Sequence, residues 1–378
     1  MPMARSLPAF WMKVDDRSQR APLESHQPMN DPKPSPRQLG YRMPAEWEPH
    51  EATWLAWPHN RETWPDQLDL VKDIWAQMVK GISPKERVCL LVNDELAQDE
   101  AVTRLTRVGA HMEHVIFHKI PTVDVWIRDY GPTFVTRQQG DAPLAFNDWI
   151  FNGWGDKYES HTRDDSVAKA MARLLDAPAF DHPIVLEGGS IDVNGRGTCL
   201  TTEQCLLNPN RNPHLGREEI EGVLRESLGA DHFIWLGDGI VGDDTDGHVD
   251  NIARFVNPTT VVCAVEEDQK GENYTPLQEN YERLQGARDQ HGSKLTIVPL
   301  PMPGKVVYED ATLPASYANF YIANGVILAP TYNRPKDSLA LGILGELFPD
   351  RTVLSIPCAS VVIGLGAVHC VTQHQPLT

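Results

Sequence analysis

The chain has 378 residues, of which 41% are hydrophobic and 23% charged, with a formal net charge of −18. That length and apolar content can supply a sizeable core, in one large domain or two ordinary ones. The acidic balance argues against a nucleic-acid backbone or an anionic membrane as partner, because both repel it, and suits a small cation.

No run of about 18 apolar residues exists, so no membrane span is expected. The N-terminus lacks the apolar centre of a secretory signal. Six cysteines (Cys89, Cys199, Cys205, Cys263, Cys358 and Cys370) are spread too widely for a disulfide scaffold. Reduced thiols and a cytoplasmic location are expected. Residues 1–40 carry prolines at 22, 28, 32, 34 and 36 among Ser, Gln and charge. Such a stretch buries too little to offset its conformational entropy, so a loose leader is expected, followed by one domain over 41–378.

In chain order, Leu68, Val71, Trp75, Met78 and Ile82 recur at steps of three and four, which predicts a helix over 68–82. Residues 87–92 predict a buried strand. Asp94 can cap a helix that ends before Gly109, and 114–120 predict another strand. The alternation continues with a helix near 164–175, strands near 184–193 and 198–207, a helix near 216–228 and a strand near 232–236. Strands near 249–256 and 260–265, a helix near 276–290 and a strand near 295–300 follow. The last round has strands near 318–323 and 325–330, a helix near 337–347, and strands near 352–356 and 361–365. Helices flanked by strands, repeated, predict an α/β fold of several similar units. The pattern alone does not separate a doubly wound sheet from a closed ring.

Four segments combine glycines with polar groups: Trp-Ile-Arg-Asp-Tyr-Gly-Pro-Thr at 126–133, Leu-Glu-Gly-Gly-Ser at 186–190, Asp-Asp-Thr-Asp-Gly-His-Val-Asp-Asn at 243–251, and Gly-Leu-Gly-Ala-Val-His-Cys-Val-Thr-Gln from 364. Loops held by a scaffold are where sites tend to lie. Cys370 is either a nucleophile that His248 could activate or a small buried hydrophobe. Gly364 and Gly366 allow another group to approach closely. His248 and Asp250 are two residues apart, so on an extended segment they share a face. One could move protons while the other holds a cation, or they are a surface His beside a solvated acid. Asp129, after Arg128 and before a Gly-Pro turn, is a candidate site carboxylate, or else a local ion pair or turn cap, and Glu187 a site carboxylate or a salt-bridged strand end. Cys199 and Cys205, and the cluster His369, Cys370 and His374, lack zinc spacing. No phosphate loop precedes a helix. Neither a metal nor another cofactor is expected.

Together these segments resemble the agmatine deiminase family of the guanidino-group-modifying (pentein) superfamily, which is related to bacterial peptidylarginine deiminase. The likeness runs from Met43 to the end. It rests on 43–58 (Met-Pro-Ala-Glu-Trp-Glu-Pro-His-Glu-Ala-Thr-Trp-Leu-Ala-Trp-Pro), 186–190, 201–213 (Thr-Thr-Glu-Gln-Cys-Leu-Leu-Asn-Pro-Asn-Arg-Asn-Pro), 247–251 and 369–373. Tyr130 and His374 depart from the usual Thr and Gln.

The resemblance implies a five-bladed α/β propeller of ββαβ units around a central site. It implies Cys370 as nucleophile, His248 as general acid/base, Asp129 and Asp250 gripping a guanidinium, Glu187 beside it, and Trp126 lining the pocket. The implied reaction is hydrolysis of agmatine to N-carbamoylputrescine and ammonia through a covalent amidino-thioether. Arginine, free or in a peptide, is the competing substrate. An acidic rim from Asp243, Asp244 or Asp246 would favour agmatine. A non-catalytic guanidine-binding relative and a cysteine protease are the other readings; in the papain-like order the nucleophile precedes the histidine, whereas Cys370 follows His248. A symmetric dimer is the commonest oligomer for such a protein.

Overall fold

The stripe over 68–82 forms a helix, Leu68–Ile82, in the computed structural model, which describes residues 33–378. Its buried face is Leu68, Val71, Ile74, Trp75, Met78, Val79 and Ile82. Burying each such side chain is worth about 1.5–3 kcal/mol, more than any propensity term. The next helix, Glu95–Val108, starts where the Asp94 carboxylate accepts from the Ala97 amide at 2.8 Å. It stops at Gly109, whose φ of 75° suits a residue without Cβ.

Strands assemble into separate sheets with one recurring plan. Thr133–Thr136 pairs antiparallel with Leu144–Ile150, which pairs parallel with Ala179–Val185. The same antiparallel-then-parallel order joins Asp192–Val193, Thr198–Thr202 and His232–Leu236. It recurs in Ala253–Asn257, Thr260–Val265 and Thr296–Pro301, and in Tyr321–Ala323, Val326–Thr331 and Thr352–Pro357. Each parallel partner is reached through helix, as a parallel crossover requires. The remaining large sheet joins the two ends of the unit. His50–Ala56 pairs antiparallel with Gln373–Pro376 and parallel with Arg87–Val92, which carries Val115–Lys119. A hairpin, Val306–Tyr308 with Ala311–Leu313, stands apart. The α/β expectation holds. No described helix is long and apolar enough to cross a membrane.

Ser35–Thr378 form one compact unit. The leader expected over 1–40 lies mostly outside the described residues. Its last few residues belong to the unit: the Arg37 amide donates to the Glu226 carbonyl at 3.0 Å, and its guanidinium pairs with Asp231 at 2.5 Å.

Several expected strands are broken. The segment 184–193 ends its strand at Val185, turns through a 3-10 turn at Gly188–Ser190 and resumes at Asp192–Val193. The segment 198–207 is a strand only to Thr202; Thr202 Oγ1 then accepts from the Cys205 amide at 3.2 Å and starts a helical turn, Glu203–Leu206. The segment 249–256 begins as a 3-10 turn, Val249–Asn251, and 318–323 is strand only at Tyr321–Ala323. The segment 361–365 is a 3-10 turn, Val361–Gly364, closed by Leu365 at φ 67°. Apolar runs read as strand because periodicity in so few residues does not separate strand from tight turn.

The core is rich in tryptophan. Trp54, Trp64 and Trp75 are fully buried, and each satisfies its indole N–H. Their acceptors are Gln375 Oε1 (2.9 Å), the Val361 carbonyl (3.0 Å) and the Ala56 carbonyl (2.9 Å). Trp64 thereby anchors the loop that leads to Cys370.

Candidate active site

A cavity of about 310 Å³ opens between Trp126 and Asp129, the segment carrying Trp154 and Tyr158, and the C-terminal loop at 363–370. Of the residues singled out from sequence, Trp126, Asp129, Asp244 and Cys370 line it. His248, Glu187 and Asp250 do not; they are fully buried behind that wall. The lining also includes Glu62, Asp124, Tyr158 and His161, and among the described residues no Lys or Arg contributes to it.

Two glycines show how closely the parts fit. A Cβ on Gly366 would lie 2.4 Å from Trp126 Cζ3, so the glycine admits the indole against the loop. A Cβ on Gly189 would lie 2.5 Å from His248 Nδ1, 2.8 Å from Asp129 Oδ1 and 3.1 Å from Asp250 Oδ2. Three functional groups from two segments thus converge on one missing methyl of a third. His248 and Asp250 converge through the 3-10 turn, not by alternation along an extended segment as expected.

The charges are concentrated and little solvated. Asp129 accepts from Trp154 Nε1 at 3.0 Å and from the Gly189 amide at 3.0 Å. Burial pushes its carboxyl up to about 6; Asp250 and Glu187 add to this and His248 opposes it. For Glu187 and Asp250 burial also acts upward, yet both are held below the usual carboxylate range. Arg211 (2.7 Å) and His248 do this for Glu187, and His369 (2.7 Å) for Asp250. Burial disfavours a charged His248, but Asp129, Cys205 and Glu187 outweigh it and raise its pKa well above the ordinary value. The ring stands 3.7 Å from Asp129 Oδ1 and 3.8 Å from Glu187 Oε2, beyond hydrogen-bond reach of both. Burial first, then Asp250 and Asp129, raise the Cys370 thiol well above its ordinary range.

No hydrogen bond joins Cys370 to His248 among the described residues. The sulfur instead receives Asn319 Nδ2 at 3.1 Å and lies 3.7 Å from Asp250 Oδ2. Asn319, Trp154, Arg211 and Glu46 are absent from the sequence-based candidates. Arg211 sits in the quoted 201–213 motif and Glu46 in the quoted 43–58 motif; nothing local marks Asn319 or Trp154. Arg128, a candidate ion-pair partner of its neighbour Asp129, turns away and pairs with Glu46 at 2.9 Å. Although sequence spacing gives no zinc motif, the fold brings donor atoms of Glu187, Cys205 and His248 within 4.8 Å of one another. All six cysteines are unpaired and buried.

Comparison with known proteins agrees with this geometry. The family model described as Porphyromonas-type peptidyl-arginine deiminase matches residues 42–376. The agmatine deiminase of Stutzerimonas stutzeri (strain A1501) is 40% identical over 367 residues, covering 90% of this chain and 97% of the relative. That of Ectopseudomonas mendocina (strain ymp) is 39% identical over 365 residues, with 90% and 97% covered. Among solved structures, the agmatine deiminase of Enterococcus faecalis superposes with a TM-score of 0.84 at 34% identity, covering 91% of this chain and 98% of that one. A substrate-bound C. jejuni agmatine deiminase superposes with a TM-score of 0.79 at 31% identity, covering 89% and 96%. The chain therefore belongs to the Porphyromonas-type peptidyl-arginine deiminase family and, within it, to the agmatine deiminases.

Proposed function

We propose that this chain hydrolyses agmatine to N-carbamoylputrescine and ammonia, with Cys370 as nucleophile. The observation that carries the reading is the convergence of Asp129, Asp250 and His248 on Gly189, beside a thiol at the wall of an acidic cavity. A guanidinium stays charged at neutral pH and offers paired N–H groups to carboxylates. Asp129 and Asp250 would hold it flat with its carbon facing Sγ, Glu187 would lie beside it, and Trp126 would wall the chain. Orientation of this kind can lower a barrier by several kcal/mol.

The arriving cation relieves the carboxylate repulsion that keeps Cys370 protonated, so the thiolate forms with substrate bound. Sulfur bonds to the guanidinium carbon. The C–N bond breaks as His248 passes its proton to the leaving nitrogen, and ammonia departs from an amidino-thioether. His248 then takes a proton from water as the oxygen bonds to that carbon. The C–S bond breaks, releasing the urea product and the thiol.

A free or peptidyl arginine would place a carboxylate or a peptide at the far end of the cavity. Glu62, Asp124 and Asp244 suit the ammonium of agmatine, and the lining offers no Lys or Arg to an α-carboxylate. A panel of agmatine, arginine and a blocked arginine peptide, with ammonia measured for each, tests this. Agmatine should show the highest kcat/KM, and the Cys370→Ala variant should release no ammonia. Higher turnover of arginine, or wild-type release by that variant, overturns the reading.

The four repeated three-stranded sheets, and a fifth that joins the chain ends, support a closed five-bladed ring of ββαβ units over 41–378. Six unpaired thiols and the acidic charge fit a cytoplasmic enzyme, and a homodimer fits the usual symmetry of such proteins.

A further inference from the structure

His369 precedes the thiol and belongs to no step of the mechanism above. Its ring is buried, 2% exposed, and bridges two carboxylates. Nδ1 lies 2.7 Å from Asp250 Oδ2 and Nε2 lies 2.9 Å from Glu46 Oε2. A neutral imidazole has one N–H, so it can donate to only one of them. Two ionised carboxylates are both satisfied only by the doubly protonated ring.

Glu46 is built to stay ionised. Its Oε2 also receives Arg128 Nη2 at 2.9 Å, and its Oε1 receives Arg254 Nη2 at 2.8 Å and the Ile322 amide at 2.9 Å. On the other side, Asp250 Oδ2 is used by His369 and lies 3.7 Å from Cys370 Sγ, while Asp250 Oδ1 is buried without a hydrogen-bond partner. That free oxygen marks where a donor from outside the protein belongs. The backbone of His369 is fixed as well: its amide donates to Asn319 Oδ1 at 2.9 Å, and its carbonyl accepts from Arg128 Nε at 3.3 Å. His374, the other titratable ring nearby, is kept neutral first by burial, then by the positive field of its neighbours.

We propose that His369 is a positioning residue: as a doubly protonated bridge from Glu46 to Asp250 Oδ2, it keeps Asp250 ionised and aims its free Oδ1 at the substrate guanidinium. The kinetic part of this proposal rests on the agmatine reading; the protonation state does not. Removing the cation leaves Asp250 buried between Asp129 and Cys370, so it takes up a proton at higher pH and grips a cation less well.

The test uses the full chain and the variants His369→Gln and Glu46→Gln. In His369→Gln the acid limb of kcat/KM should move up by about one pH unit, with KM for agmatine rising about tenfold and kcat changing less. Glu46→Gln, which keeps an acceptor for the ring, should move the limb the same way by less, and it carries the test if His369→Gln does not fold. In 15N-histidine spectra of the wild type at pH 7, two buried rings, His248 and His369, should carry protons on both nitrogens, and one of the two signals should vanish in His369→Gln. A neutral single-N–H ring at this position overturns the proposal. So does a folded His369→Gln whose only change is a lower Tm. A wild type that fails on agmatine but shows the doubly protonated ring sinks the substrate reading alone.

Discussion

Two buried polar clusters lie back to back in this protein, and they are finished to different degrees. In the first, Glu46, Arg128, Arg254 and Asp192 are closely satisfied: Arg254 donates to Asp192 at 2.9 Å, to the Phe320 carbonyl at 2.8 Å and to Glu46 at 2.8 Å. In the second, both ring nitrogens of His248, Glu187 Oε2 and Asp250 Oδ1 are buried without hydrogen-bond partners. Leaving such groups unpaired costs about 1–3 kcal/mol each, so a cluster of them beside a cavity is a place for a ligand to pair them. The contrast separates a scaffold, which is complete without substrate, from a site completed by a cation. His369 touches both.

The largest break in that comparison is expected in the scaffold. Arg254→Met strands Glu46 and Asp192 without their cation, and urea unfolding should register a loss of about 3–5 kcal/mol. A loss under about 1 kcal/mol would mean that the cluster does not hold the fold. Next, Gly189→Ala forces a methyl among His248, Asp129 and Asp250. It should lower kcat/KM by about 100-fold or more while circular dichroism stays native; wild-type kinetics would show that the three groups need not meet there.

Asp129→Asn tests the reverse sign, stability gained as function is lost. The Asp129 carboxyl is raised from 3.8 to about 6, so the folded state binds its proton more tightly than the unfolded chain. Its contribution is most favourable below pH 4 and is lost as pH rises through 6. The variant should therefore be more stable than wild type at pH 7, by about 1–3 kcal/mol, and should fall less in stability between pH 4 and 6. Its affinity for agmatine should drop. Equal pH profiles of unfolding would refute the assignment.

The smallest effect belongs at the mouth. Asp244, half-buried, accepts from Tyr158 at 2.5 Å. Asp244→Asn should raise KM for agmatine up to about fivefold with kcat nearly unchanged, the size expected of a solvated pair. An unchanged KM would remove Asp244 from substrate recognition.

Much of this site can be named from the chain, but its roles are distributed differently. Cys370, His248, Asp129, Asp250 and Glu187 stand out because polar groups beside glycines are unusual in a core. Their geometry does not follow. Cys370 and His248 read as an activating pair, yet the thiol is contacted by Asn319 and Asp250. Glu187 satisfies its two readings at once, with Oε1 in a salt bridge to Arg211 and Oε2 left open toward His248. Asn319 and Trp154 carry no local signal, since an amide and an indole become informative only through what they face. His369 stands in a sequence cluster that lacks zinc spacing, and its two carboxylate partners lie 119 and 323 positions away.

What the sequence determined by itself is local. The spacing of Leu68, Val71, Trp75, Met78 and Ile82 dictates a helix, because one face of a 3.6-residue period must leave water together. Asp94 and Gly109 set the ends of the next helix through a cap oxygen and a left-handed backbone. The tertiary structure alone decided where 184–193, 249–256 and 361–365 stop being extended, and which carboxylate keeps its charge. Those outcomes depend on burial and on fields from groups far along the chain, and Coulomb energy and desolvation act through space, not along the sequence.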